Sequence, residues 1–192
     1  DTLLGVTRAI LGSSAQGFSS GTVVGISYTQ GDKNNAFMKF RLKSSGFEVR
    51  LQNIKFNRLL PLGLYGDDAD ISSIKIWRDN GNGTLDRDPA TGEISGFVET
   101  LVGHGKFDGN GMATISVDDP AIGRGYILVT TTATLYWLTM DISPAAKFSD
   151  PNKTPQNEVT GIYCAERTNI TLGPVEAGHQ VSLYGSDGRL VF

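Results

Sequence analysis

The chain has 192 residues and a net charge of −3, with 39% hydrophobic and only 19% charged residues. That length suits one large β domain burying roughly 70% of its unfolded surface, and the acidic balance argues against the basic face of a nucleic-acid binder. No run approaches the ~20 apolar residues of a membrane span, and a polar surface carried by Ser, Thr, Asn and 24 Gly rather than by charge suits a secreted protein.

The first element in chain order is "DTLLGVTRAIL", residues 1–11, an apolar strand-like arm. An Asp start fits a processed chain or a fragment, and removal of a signal peptide would explain it. "GSSAQGFSSGT", residues 12–22, has the composition of a flexible linker. A lone strand cannot satisfy its own backbone, so the arm must pair with a sheet. Either it folds back on its own domain, or it pairs with a neighbouring subunit through Leu4, Val6 and Ile10. Residues 23–192 form the single remaining domain.

Within that domain "TVVGISY", "AFMKFRLK", "FEVRLQ", "ISSIKIW", "EISGFVETLV", "MATISV", "VTGIYCA", "NITL" and "HQVSLYG" carry strand signatures. "FEVRLQ" alternates cleanly, with Phe47, Val49 and Leu51 opposite Glu48, Arg50 and Gln52. "YILVTTTATLYWLTMDI" is too long for an average strand, so it is two strands broken near Thr131 to Thr134 or one long bent strand. Turn signals every 8 to 12 residues and the near absence of helical periodicity predict an all-β, two-sheet sandwich of jelly-roll or Ig-like type.

The richest chemistry lies in "KIWRDNGNGTLDRDPATGE", residues 75–93. Calcium takes six to eight oxygens from carboxylates, amides, carbonyls and water. Asp79, Asn80, Asn82, Asp86, Asp88 and Glu93 supply such oxygens, and Gly81 and Gly83 let the backbone turn. The helix-flanked calcium pattern is not met, because Arg78 stands at its first position and Asp79 comes one residue late. The loop is therefore a calcium site of another kind or a solvated hairpin with Asn-Gly turn chemistry.

"IKIWRDNGNGTLDRDPATGEISG", "GKFDGNGMATISV" and "YWLTMDISPAA", in this order, resemble a recurring module of secreted bacterial surface proteins. Its strand ends in a D-x-N-G-N-G-x-x-D loop, and an aromatic strand ending in D-I-S follows. The resemblance covers about residues 49–146, with one residue fewer before "NGNG" here. It implies an Ig-like or jelly-roll sandwich outside the cell, often part of large surface proteins or filaments.

Other features are weaker. Asp108 and Asn110 in "KFDGNGMA" read as a two-residue hairpin turn. Asp67, Asp68 and Asp70 need a screening cation or solvent, and could form a second site or join the first loop. Asp118 and Asp119 precede Pro120 in a strand-ending turn. Pro144, Pro151 and Pro155 mark a long surface loop. Cys164 has no disulfide partner and reads as a core residue, and core packing is also expected for Trp77 and Trp137. His104 and His179 lack metal-ligand spacing, and no nucleophile or phosphate motif appears, so no enzyme is expected.

The expectation is a structural subunit of an extracellular filament or surface layer. It would bind copies of itself by donating the arm, with calcium as its cofactor. The alternative is a calcium-stabilised adhesion or carbohydrate-binding module of a larger secreted protein, with surface glycans as partners.

Overall fold

The computed structural model describes residues 2–6, 25–29, 31–44, 48–59, 68–91, 93–94, 99–121, 123–146, 159–163, 170–172 and 181–184. The linker 12–22, Ile10, Asp67, Cys164, His179, Pro151 and Pro155 lie outside the described residues.

The chain is all-β, a sandwich of two sheets. Its strands are β1 (Thr2–Val6), β2 (Gly25–Thr29), β3 (Asn35–Ser44), β4 (Val49–Leu59), β5 (Ile71–Arg78), β6 (Thr100–Gly105), β7 (Met112–Ser116), β8 (Ile127–Val129), β9 (Thr134–Ile142), β10 (Val159–Tyr163), β11 (Ile170–Leu172) and β12 (Val181–Tyr184). Among the described residues the helical content is one 3-10 turn, Asp68–Asp70. One sheet has the order β12-β3-β9-β5-β6. The other runs β11-β4-β10-β1-β2, with β7 and β8 also paired to β4.

β4 is the hub of that second sheet. Along one edge it pairs β8 through Val49–Leu51 and β7 through Asn53–Asn57. Along the other it pairs β11 through Leu51–Ile54 and β10 through Asn57–Leu59. The inward phase changes from Val49 and Leu51 to Ile54 and Phe56, all four fully buried. A register shift at Thr171/Leu172, opposite Gln52, accounts for it, since one extra residue moves the pattern to the other face. The strand therefore continues well past the "FEVRLQ" alternation.

The core between the sheets joins Phe40, Leu42, Ile74, Ile76, Tyr136, Leu138 and Met140 of the first sheet to Val49, Leu51, Ile54, Phe56, Ala113, Ile115 and Ile127 of the second. Phe40 stacks on Tyr136 with ring centroids 5.6 Å apart and meets Phe56 edge-on at 6.0 Å. Burial pushes the Tyr136 hydroxyl up to about 12.

The apolar run at 126–142 is two strands that lie in different sheets, broken at residues 130–133. The segment around Asp108 and Asn110 is not the tight hairpin expected from sequence. It joins β6 in one sheet to β7 in the other and so turns a corner of the sandwich. The corner is tight: a Cβ on Gly103 would fall 2.8 Å from Ile115 Cγ2 and 2.9 Å from the Ser116 carbonyl oxygen. Only glycine permits that approach. The Gly103–Val117 bridge and the Asp118 N–H donating to the Val102 carbonyl at 2.7 Å close this edge. The opposite side is tied by the Ser44 N–H donating to Thr130 O at 2.8 Å.

β1 adds to the sheet in an unusual way. It pairs β10 in parallel, Leu4 with Val159 and Gly5 with Thr160, and pairs β2 antiparallel from Thr2–Thr29 to Val6–Gly25. Among the described residues β2 has no other strand partner. The arm thus occupies a slot in its own chain's sheet.

Candidate functional site

Alternation fixes what the outer face of the first sheet presents. With Tyr136, Leu138 and Met140 in the core, Trp137, Thr139 and Asp141 of β9 point away from it. Register places Lys39 of β3 and Trp77 of β5 beside Trp137, and Lys75 beside Thr139. The two tryptophans are therefore not partners in the central cluster, as sequence suggested. Trp77 is buried on the outer face, its indole N–H donating to Thr139 Oγ1 at 2.9 Å. Trp137 is half-buried and forms a floor for the segment that leaves β5.

That segment carries the Asp/Asn/Gly loop, folded back across the outer face. Asp79 is its anchor. Its Oδ1 accepts from the Gly81 and Gly83 amides at 2.8 and 3.1 Å, and its Oδ2 accepts from the Trp137 indole at 3.0 Å. Gly81 and Gly83 have φ of 104° and 78°, which lets both amides turn toward one carboxylate. Burial works to raise the Asp79 pKa. The Trp137 indole, the Gly83 and Gly81 amides and the Lys39 charge outweigh it and hold the carboxyl below its usual range. Lys39 Nζ donates to Gly83 O at 2.7 Å and lies 4.6 Å from the Trp137 ring centroid, clamping the loop from the β3 side. Further along, Arg87 donates to the Asn34 carbonyl.

The rest of the loop closes on Asp86. Asp86 Oδ2 accepts from the amides of Asn80 and Asn82 at 3.0 and 2.8 Å, and its Oδ1 accepts from Thr84 Oγ1 at 3.1 Å. Asn80 Oδ1 takes the Asn82 N–H and Asn82 Oδ1 the Thr84 N–H, at 2.9 and 2.8 Å. These are Asx turns, in which the side chain mimics a backbone turn.

The structure thus divides the six expected ligands. Asp79, Asn80, Asn82 and Asp86 share one hydrogen-bonded loop. Asp88 and Glu93 belong to the next turn, where Asp88 Oδ1 accepts from Ala90 N at 2.7 Å and the Asp88 N–H donates to Glu93 O at 2.7 Å. The Glu93 side chain is exposed. Among the described residues no three His, Cys, Asp or Glu side chains group as a metal centre would need. A cation here would have to draw on carbonyls, amides and water as well.

Sequence reasoning missed Glu99, which sits at the strand entry to β6 and is only 1% exposed. The Asp86 N–H donates to its Oε1 at a long 3.4 Å. Burial raises its pKa. The backbone N–H groups of Asp86 and Asn80 work against that rise, and the charges of Asp79 and Asp86 add to it. Nothing in "GFVETLV" marks this Glu, because an isolated acidic residue near a strand normally faces water.

A second acidic cluster has a different solution. Asp68 Oδ1 pairs with Arg58 Nη1 at 3.0 Å, and its Oδ2 accepts from Gly111 N at 2.7 Å. The Arg58 side chain is fully buried. The screening cation that the Asp67–Asp70 run requires is thus supplied, for Asp68, by an arginine of the β4 hub. Asp119 pairs with Arg78, and Asp141 pairs with Lys75 at 2.6 Å. His104 is exposed on β6, beside a depression of about 230 Å³ lined by Leu101, Ser116, Asp118 and Pro120 among others.

No family model matches the chain, and no curated protein matches it.

Proposed function

We propose that the protein is a structural subunit of an extracellular filament or surface layer, assembled by exchange of the N-terminal arm and stiffened by calcium at the Asp79–Asp86 loop. The observation that carries this reading is the position of β1. It joins the sheet through a short parallel register with β10, and β2 reaches the body only through it among the described residues. A slot that accepts β1 from its own chain offers the same backbone hydrogen bonds to β1 of another. Residues 12–22 have the composition of a tether, and a flexible Gly/Ser-rich chain of that length has a root-mean-square reach of roughly 17 to 20 Å, enough to cross a subunit boundary. Filling the slot also covers a β10 edge that would otherwise invite uncontrolled pairing. Each copy gives one arm and receives one, a head-to-tail contact that need not close and so builds a fibre.

Deleting residues 1–12 and imaging the purified chain by electron microscopy tests the reading. The full chain forms filaments or sheets and the truncated chain does not, while a peptide of residues 1–11 binds the truncated chain. Assembly that persists without the arm rejects the proposal, as does a full chain that stays monomeric at native concentration.

A further inference from the structure

Among the described residues, Asp68, Asp79, Asp119 and Asp141 have both carboxylate oxygens engaged, and Glu99 has one that is not. Asp68 has Arg58, Asp119 has Arg78, Asp141 has Lys75, and Asp79 has two backbone amides and an indole. Glu99 is 1% exposed, yet its Oε2 makes no hydrogen bond. The Asp86 N–H meets the other oxygen of the same carboxyl, so the group lies against the loop. Its charged neighbours there are Asp79 and Asp86, both negative. Lys39, a cation on this loop, is engaged by the Gly83 carbonyl and the Trp137 ring and acts on Asp79. A buried carboxylate oxygen without a partner beside further negative charge is costly, and a positive ion relieves it most directly.

We propose that Glu99 and Asp86 are the anionic ligands of one hard divalent cation of calcium type, held beneath the Asp79–Asp86 loop. This rests on the cation reading of the loop and changes its ligand set. Asp79 is removed, because its oxygens are held by two backbone amides and the half-buried Trp137 indole, whereas the three donors on Asp86 are exposed side chains that can turn away to admit an ion. Asp88 and Glu93 are removed, because they shape the following turn. Glu99, some thirteen residues beyond Asp86 in sequence, is added. Oxygen chemistry sets the class of ion: carboxylates, side-chain amides and carbonyls, with no His or Cys in the loop, suit calcium rather than a softer metal. Water completes the coordination.

Terbium in place of calcium provides the test, with sensitised emission through Trp137, whose indole touches Asp79 at 3.0 Å. The full chain is expected to show emission that calcium competes away. Glu99→Gln is expected to weaken both ions by more than roughly tenfold, a loss at least as large as that of an outer partner. Its metal-free melting temperature should equal or exceed that of the unmodified chain, because a neutral amide replaces an unpaired charge. Unchanged affinity in Glu99→Gln, with Asp86→Ala abolishing emission, overturns the Glu99 assignment and leaves the cation reading of the loop standing. No emission from the unmodified chain, with a melting curve identical in EDTA and in calcium, overturns both. If Glu99→Gln does not fold, Glu99→Asp decides. It keeps the charge and shortens the reach, so weakened binding supports the assignment and unchanged binding overturns it.

Discussion

The two ends of the seven-stranded sheet are held in contrasting ways. At one end β4 is flanked along both edges by four strands, and its side chains Leu51, Ile54 and Phe56 are fully buried. At the other, β1 and β2 form a ribbon that meets the sheet through two residue pairs, Leu4–Val159 and Gly5–Thr160. Opening free energies vary across a fold in this way, and segments with few contacts open first. A part that opens cheaply is one that can be exchanged between copies. On the proposed reading the contrast separates two jobs: the hub would carry monomer stability, and the ribbon would carry assembly.

The largest expected effect is in the hub. Arg58→Ala leaves Asp68 without its buried partner, and breaking such a pair costs roughly 3 to 5 kcal/mol. Chemical denaturation should show that loss with or without calcium. A loss no greater than that of deleting residues 1–12 would erase the distinction between hub and ribbon.

Removing calcium is expected to act next. A ligand bound only by the native state adds about 2.7 kcal/mol at a hundredfold excess over Kd. Melting in EDTA should therefore fall below melting in millimolar calcium, and Asp86→Ala should abolish the difference. An unchanged midpoint contradicts the cation reading.

Acid should produce a smaller loss. Burial works to raise the Asp119 pKa, but the Arg78 hydrogen bond and charge, together with the Ala121 amide, leave it below 3.8. A carboxyl depressed in the folded state contributes stability that is present above its unfolded pKa and is lost as pH falls through its folded value. Stability should thus decline as pH drops below 3.8, and Asp119→Asn should flatten that decline. An equally steep acid limb in Asp119→Asn would assign it to other carboxyls.

Much of the fold was legible in the sequence because strand patterning is local. Alternation in "AFMKFRLK" and "FEVRLQ", and the break near Thr131, correspond to β3, the start of β4 and the β8–β9 division. The sheet change between β6 and β7 was not legible, because Gly103's close approach to Ile115 depends on a partner elsewhere in the chain. Trp77 and Trp137 looked like core residues because hydrophobicity alone does not say which face of a sheet is central. The acidic loops could be seen but not told apart. Their difference lies in Arg58 and Glu99, which stand 10 and 13 residues from Asp68 and Asp86 and carry no local signature.

The central claim is that β1 fills the slot of a neighbouring copy, and a single cross-link tests it. Leu4 and Val159 are register partners in adjacent strands, which run about 4.8 Å apart, within the span of a disulfide. In a chain carrying Cys164→Ser, the pair Leu4→Cys and Val159→Cys should oxidise, after assembly, into a ladder of covalent multimers on a non-reducing gel. Oxidation that yields a cross-linked monomer and no ladder would contradict the account, because it would place each arm in its own chain.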